Sequence, residues 1–237
     1  MKLFCLIPSY NESGNLRELS LRLIKVLTRN EINFKILYVL QQDKESLDIL
    51  KKIQKKYSQV DYLYFPKALG VGKAYQIGFN LVKKPWTHVL TLDADLNHRP
   101  EELIYFLNKY HQTQSDIIIG SRFIPGGNFY DKRRWKIITS YVVNKAINLF
   151  FGIAILDKTS GYRLIKREVI DDIKQKVQEK GYPFYLEFIL LAQKSHYSMV
   201  EVPINYIPRK WGKSKMGKFK TCFDYLLFFS RLLIFNF

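Results

Sequence analysis

Cysteine is scarce: Cys5 and Cys222 are the only two among 237 residues. They are too few for a disulfide framework and too far apart for a metal-ligand spacing, so no zinc site is expected and reduced thiols fit a cytosolic chain. Acidic residues are also in short supply, 21 Asp+Glu against 38 Lys+Arg. The net charge of +17 calls for an anionic partner (nucleic acid, anionic lipid or a phosphorylated substrate) or else reflects a solubility bias toward lysine. Long apolar runs are missing, and no stretch reaches the roughly 20 residues that span a bilayer. The nearest, Phe219 to Phe237, is broken by Lys220, Asp224 and Arg231. The N-terminal apolar run stops at Ile7, before Pro8, Asn11 and Glu12, so neither a signal peptide nor a transmembrane helix is expected. With no repeat and no Gly/Ser/Pro-rich linker, the length suits one domain with a short appendage.

What is present reads as alternating strand and helix over the first ~125 residues, the pattern of an α/β domain. Lys2 to Ile7, Phe34 to Leu40, Val60 to Phe65, His88 to Leu92 and Asp116 to Gly120 are apolar runs of strand length. Between them, Leu16, Leu19, Leu23 and Leu27 share one helical face, as do Leu47, Leu50, Ile53 and Tyr57. Further helices are expected over 72–83, from Pro100, over 135–151 and over 184–194. Shorter strands are expected near 162–165 and 199–206. The Lys51, Lys52, Lys55 and Lys56 group opposes an apolar face and reads as solvated surface.

The most informative segment is Asp93-Ala94-Asp95-Leu96-Asn97-His98, directly after a buried strand. Alternation sets Asp93 and Asp95 on one side of an extended chain. In open α/β sheets, the carboxyl ends of the strands are where ligands bind. Two carboxylates there, with the Asn97 amide oxygen, make a hard-oxygen set suited to Mg²⁺ or Mn²⁺; the alternative is a solvated Asx turn.

Seven motifs follow one another: Pro8-Ser-Tyr-Asn-Glu12, Gly70-Val-Gly-Lys-Ala-Tyr75, Asp93 to His98, Gly120-Ser-Arg122, Thr159-Ser-Gly-Tyr-Arg163, Glu201-Val-Pro-Ile204 and Arg209-Lys-Trp-Gly-Lys-Ser-Lys215. Together they resemble the family 2 inverting glycosyltransferases of GT-A fold, nearest the dolichyl- or polyprenyl-phosphate mannosyltransferases. The resemblance implies a GT-A domain over 1–218, a mixed central sheet flanked by helices, and a membrane-proximal amphipathic helix over 219–237. It implies a donor pocket of Pro8, Tyr10, Glu12, Gln42, Asp43, Gly70, Asp93, Ala94, Asp95, Arg209 and Lys215. It further implies Asp93, Asp95 and Asn97 as ligands of Mg²⁺ or Mn²⁺, Asp95, Arg122 and Arg163 as catalytic, and Arg122, Arg134, Lys136, Ser160 and Lys213 around an acceptor phosphate. The sequence departs from the family at Leu40-Gln41-Gln42-Asp43, where an acidic group usually reads the donor base. Asn97 stands for a more usual Gln, and Lys136 for a more usual Arg.

The implied reaction is metal-dependent transfer of a hexose, mannose from GDP-mannose, to a polyprenyl monophosphate at the cytoplasmic face of a membrane. A phosphate monoester is already ionised near neutral pH, which agrees with the lack of an obvious His–acid pair among His88, His98, His111 and His196. Membrane contact is expected from the helix near Trp135 to Phe151, preceded by Lys132, Arg133 and Arg134, and from the aromatic tail. A small membrane-protein partner is the alternative anchor. The rival readings are transfer of glucose or another sugar from a UDP-sugar, to undecaprenyl phosphate or a glycan; a nucleic-acid-binding module, disfavoured because it leaves Asp93 and Asp95 unexplained; and an inactive relative acting as a scaffold.

Overall fold

The computed structural model describes residues 1–131, 134–209, 211–212 and 217–234, apart from the side chains of Lys218, Leu233 and Ile234. Strands β1 (Lys2–Tyr10), β2 (Asn33–Gln41), β3 (Val60–Phe65) and β4 (His88–Thr91) alternate with helices α1 (Ser13–Arg29), α2 (Lys44–Lys56) and α3 (Val71–Phe79). Helix α4 (Leu103–Thr113) follows a short 3₁₀ turn at Pro100–Glu102 and leads to β5 (Ile117–Ser121). The second half adds β6 (Asn128–Phe129), α5 (Arg134–Phe151), β7 (Arg163–Lys166), α6 (Arg167–Ile173), α7 (Phe184–Lys194), β8 (Met199–Pro203), β9 (Asn205–Tyr206) and α8 (Lys218–Ile234).

Seven strands form one sheet in the order β3-β2-β1-β4-β7-β5-β8, while β6 and β9 pair separately. Every pairing in the large sheet is parallel except those of β7, which runs antiparallel to both β4 and β5. Strand order reverses between β1 and β4, and such a switch point opens a crevice beyond the strands' carboxyl ends. Because β7 is reversed, it is its first residue, Arg163, that lies at this rim. The Thr159–Gly161 turn is thereby brought beside the ends of β1, β4 and β5.

Strand alternation builds two cores. Leu3, Cys5 and Ile7 of β1 face α1, α2 and α4, in one layer with Leu16, Leu19, Leu50 and Phe106. Phe4 and Leu6 face the other side, with Tyr75 and Phe79 of α3, Phe188 of α7, Ile147 of α5 and Tyr225, Phe228 and Leu232 of α8. The last helix, expected as an appendage, therefore packs one face into the domain's own core. Its burial repeats at Thr221, Tyr225, Phe228 and Leu232, the spacing of one helical stripe.

The start of α3 is held tightly. Gly70 has φ +87, and a Cβ there would fall 2.5 Å from the Lys180 carbonyl oxygen; one on Gly72 would fall 2.4 Å from that of Glu179. Only glycine allows this approach of helix and loop. The Lys73 amide donates to Lys180 O at 3.2 Å, closing the seam.

Candidate active site

A cleft of about 990 Å³ opens at the rim where β1, β4 and β5 end. Its walls include Pro8 and Tyr10 in the last residues of β1 and Glu12 just after it, Gln41 at the end of β2, Gly70 before α3, and Asp93, Ala94, Asp95 and His98 after β4. Arg122, Lys136, Ser140, Thr159, Ser160, Tyr185 and Arg209 complete the part used below, with Lys220 and Thr221 from α8. Five of the seven motifs thus place a residue on one cavity, and the Arg209 loop adds a sixth.

Asp93 and Asp95 sit at the centre. Burial holds both carboxyls above their ordinary range, and for Asp95 the charge of Asp93 adds to the shift. The Tyr185 hydroxyl donates to Asp93 Oδ1 at 3.3 Å, and the Asn97 amide to Asp95 Oδ1 at 3.0 Å. Arg209 reaches across from the far end of the chain: Nη2 donates to Asp95 Oδ2 at 2.5 Å and Nη1 to Glu12 Oε1 at 3.1 Å. Glu12 Oε2 accepts from Asn15 Nδ2 at 2.7 Å, which fixes the carboxylate. The buried His98 accepts the Asp93 amide on Nδ1 at 3.2 Å, and burial lowers its pKa to about 4, so it is a neutral ring.

The donor set fits a hard divalent cation in one respect. Two carboxylates aimed into a cleft suit Mg²⁺ or Mn²⁺, ions that commonly take one or two protein carboxylates and complete their shell with substrate phosphate and water. No group of three or more His, Cys, Asp or Glu ligands gathers among the described residues, so a closed all-protein cage is not built. Asn97, expected as the third ligand, stands behind the wall at 2% exposure, and its buried Oδ1 has no hydrogen-bond partner.

Arg122 is oriented by an extensive network. Nε and Nη2 donate to the Asp157 carboxylate, both at 2.7 Å, and Nη2 also reaches Thr159 Oγ1 at 2.8 Å and Ser140 Oγ at 3.3 Å. The guanidinium lies 4.2 Å from the centroid of the Phe129 ring, a cation–π stack. Burial alone would raise the Asp157 carboxyl; the Arg122 charge and hydrogen bonds outweigh it and hold the group below its ordinary value. Lys136, 7% exposed, lies one helical turn before Ser140, with Nζ 3.3 Å from Asp131 Oδ2. Ser140 Oγ and Thr159 Oγ1 are 2.6 Å apart. Two cations and several hydroxyls therefore converge on one side of the carboxylate pair.

Four expectations need correction or relocation. Arg163, expected to be catalytic, is a core residue: its Nε donates to Ser160 O at 2.8 Å, and Nη2 to Lys158 O at 2.7 Å and Tyr185 O at 2.8 Å. It is off the main cleft's wall and braces the turn beneath it. Asp43 is the N-cap of α2, accepting the Ser46 amide at 3.2 Å, rather than a base reader. Gln42 turns away, its Oε1 accepting from the Tyr10 hydroxyl at 2.9 Å, and Gln41 takes the cavity position. Arg134 begins α5 exposed and off the cleft wall. Lys213 and Lys215, with Lys132, Arg133, Lys210 and Phe237, lie outside the described residues.

Sequence reasoning left Gln41 and Gln42 open as partners of a base edge, and missed Ser140, Tyr185 and the Asp157 partner of Arg122. For Gln41 the signal was strand parity, since it falls on the same face as Leu37 and Val39. For Ser140 it was the i+4 spacing from Lys136.

The fold and the cleft at its switch point define a glycosyltransferase type of architecture, and sequence comparison agrees. The family model described as Glycosyl transferase family 2 matches residues 4–174, so the chain belongs to that family. Its relatives include a polyprenol monophosphomannose synthase of Mycolicibacterium smegmatis, 34% identical over 164 residues, covering 67% of this chain and 60% of the relative. An undecaprenyl-phosphate mannosyltransferase of Micrococcus luteus is 29% identical over 150 residues, 62% of this chain and 61% of that protein. The chain thus aligns with about three-fifths of the length of each. Among solved structures, mannosyl-3-phosphoglycerate synthase of Rubrobacter xylanophilus superposes with a TM-score of 0.65 at 14% identity, over 98% of this chain and 74% of that one. Glucosyl-3-phosphoglycerate synthase of Mycobacterium tuberculosis, in complex with Mn²⁺ and UDP-glucose, gives 0.63 at 13% identity, over 98% and 78%. These neighbours establish the shared GT-A fold, a mostly parallel sheet flanked by helices.

Proposed function

We propose that this chain transfers a hexose, mannose by likeness to its relatives, from a nucleoside diphosphate sugar to a polyprenyl monophosphate, with inversion at the anomeric carbon. The observation that carries this reading is the juxtaposition in one cleft of the Asp93–Asp95 pair with the Arg122, Lys136, Ser140 and Thr159 cluster. The first suits the diphosphate end of a donor, the second the phosphate of an acceptor.

The acceptor phosphate is largely dianionic at neutral pH, so its oxygen attacks the anomeric carbon without a dedicated base. The carbon–oxygen bond to the nucleoside diphosphate breaks with its electron pair leaving on the diphosphate. Arg122 and Lys136 position the attacking phosphate, and the Asp157 and Phe129 contacts keep the guanidinium from moving. A divalent cation held by Asp93 and Asp95 would supply neutralisation of the departing diphosphate. Arg209, paired with Asp95 and Glu12 on the same rim, supplies a second positive charge to the diphosphate side.

The lipid reading draws support from α5 and α8. Both line the cleft, and both leave apolar side chains in solvent: Ile138, Tyr141, Val142, Leu149 and Phe150 on α5, Phe219, Phe223, Leu226 and Leu227 on α8. Exposed apolar residues on two helices beside basic groups suit an interfacial position on an anionic membrane, with the prenyl chain in the lipid and its phosphate in the cleft. No described helix is long and apolar enough to cross a membrane.

The test is transfer from radiolabelled GDP-mannose and from UDP-hexoses to a short polyprenyl phosphate. Asp95→Asn is expected to lower the rate on the order of 100-fold or more, the scale of losing a preorganised electrostatic group. Undiminished transfer in that variant would remove the carboxylate pair from the mechanism.

A further inference from the structure

Helix α5 carries a polar residue at every fourth position along one side: Lys136, Ser140, Asn144 and Asn148. Positions four apart advance about 40° around a helix, so the stripe slants and its two halves meet different partners. Lys136 and Ser140 reach the cleft wall beside Arg122 and Thr159. Asn144 and Asn148 meet the turn that follows the helix. Asn144 Oδ1 accepts the Lys158 amide at 2.8 Å, and its Nδ2 donates to Ser140 O at 2.9 Å. The Lys158 side chain is fully buried, and its Nζ donates to Asn148 Oδ1 and Ile155 O.

The same turn is held to the sheet from its other side. The Glu201-Val-Pro-Ile204 motif, off the cleft wall, serves here: the Glu201 carboxylate accepts the Leu156 and Asp157 amides, both at 2.9 Å. Arg163 of β7 donates to Lys158 O. Asp157 in turn grips Arg122. The sheet therefore fixes the turn, and the turn fixes α5.

We propose that Asn144 and Lys158 are positioning residues: they lock the roll of α5 about its axis and so hold Lys136 and Ser140 opposite Arg122, around the acceptor phosphate. The inference rests on the acceptor reading above. Apolar packing sets this roll poorly. Val143 and Ile147 are buried, but Ile138, Tyr141, Val142 and Leu149 on the exposed side are apolar too. A rolled helix would still bury hydrocarbon, and the hydrophobic effect has no direction. Hydrogen bonds do. A roll of one residue, about 100°, would carry Lys136 and Ser140 off the wall and leave the buried Lys158 amide without its acceptor.

The experiment is steady-state kinetics of the full chain with a short polyprenyl phosphate and with GDP-mannose or UDP-hexoses as donors, for the wild type, Asn144→Leu, Asn144→Asp and Lys158→Met. Asn144→Leu removes the acceptor of the Lys158 amide at nearly constant volume. It is expected to raise KM for the polyprenyl phosphate about tenfold or more, and to leave KM for the nucleotide sugar within about threefold of the wild type. Asn144→Asp keeps an oxygen for that amide and should return the acceptor KM to within about threefold of the wild type. Lys158→Met keeps the side chain's stem and loses only the amine contacts, so a smaller rise in acceptor KM is expected. Circular dichroism checks the fold, and Lys158→Met carries the test if Asn144→Leu does not fold. A merely structural role would lower kcat through loss of folded enzyme and move neither KM. That pattern, or equal rises in both KM values, would overturn the inference while leaving the acceptor reading in place. A wild type that transfers no sugar to polyprenyl phosphate would bring down the acceptor reading, and this inference with it.

Discussion

Arg122 and Arg163 are both buried, yet their partners differ in kind. Arg122 faces the ionised Asp157 and two hydroxyls on the cleft wall. Arg163 donates only to backbone carbonyls, and burial lowers its pKa to about 10, still charged at neutral pH. Replacement should separate the two roles. Arg163→Met leaves three carbonyls short of a donor and is expected to cost about 3 kcal/mol, seen as a loss of roughly 6–12 °C in melting temperature. Its transfer rate per folded molecule should change less than tenfold. Arg122→Met should lower the rate about 100-fold or more, measured at a temperature where both variants are folded. At this scale the sequence was a partial guide. Asp93, Asp95, Glu12 and Arg122 were legible because a strand end and a short motif fix where such residues point. Gln41 and Gln42 could not be told apart without the parity of β2, since one residue's shift in a strand exchanges faces. Arg163 looks identical in sequence whether it faces a ligand or a carbonyl cage, and the cage is built from residues as distant as Tyr185.

The helices expected from periodicity were found, because an apolar stripe at helical spacing is a local property. What was not local was not legible. β6 and β9 pair across 77 residues, with Asn128 Nδ2 bonded to Asn205 Oδ1 at 2.8 Å, and neither is long enough to give a pattern. The tail is the instructive element. It reads equally as an interfacial helix or as a core helix, and α8 has a face for each: Tyr225 and Phe228 inward, Phe219 and Phe223 outward at 87% and 60% exposure. The two faces can be tested apart. The double variant Phe219→Ser, Phe223→Ser is expected to lower partitioning onto anionic vesicles about tenfold or more in co-sedimentation at low salt. Because both rings are already in solvent, its melting temperature should stay within about 2 °C of the wild type. Equal partitioning of the two proteins would take α8 out of the membrane contact.

Across the whole molecule, stability should depend on acid through histidines buried in neutral form. His88 lies in the sheet at 7% exposure, and burial, with the N-terminal amine and Lys166 adding their charges, lowers its pKa to about 4. The unfolded chain holds that proton below about pH 6.5, whereas the folded protein does not bind it until about pH 4. The unfolded state therefore binds more protons in this window, and stability falls as pH falls through it, by up to about 1.4 kcal/mol per pH unit for one group. Urea midpoints taken between pH 7 and 4 should show a shallower decline in His88→Gln than in the wild type; parallel curves would exclude His88 as a contributor. The +17 charge belongs to this scale too. It first offered three classes of anionic partner, and the cleft places its most informative cations beside two carboxylates rather than along a groove shaped for nucleic acid.

The reversed strand β7 also governs the order in which the protein can be built. The β3-β2-β1 half is closed by neighbours in sequence, so it can form while the chain is still being synthesised. β4 cannot be covered on its other side until residues 163–166 arrive, and β5 has to wait for 199–203. Between those moments the wholly apolar Ile117–Ile119 segment and the free edge of β4 are unpaired, the condition under which strands pair with the wrong chain. A ribosome-bound product ending shortly before Arg163 should therefore have a protected β3-β2-β1 half and an aggregation-prone β4 and β5 half. One segment's direction thus sets both the shape of the rim and the stage of synthesis at which the molecule is most exposed.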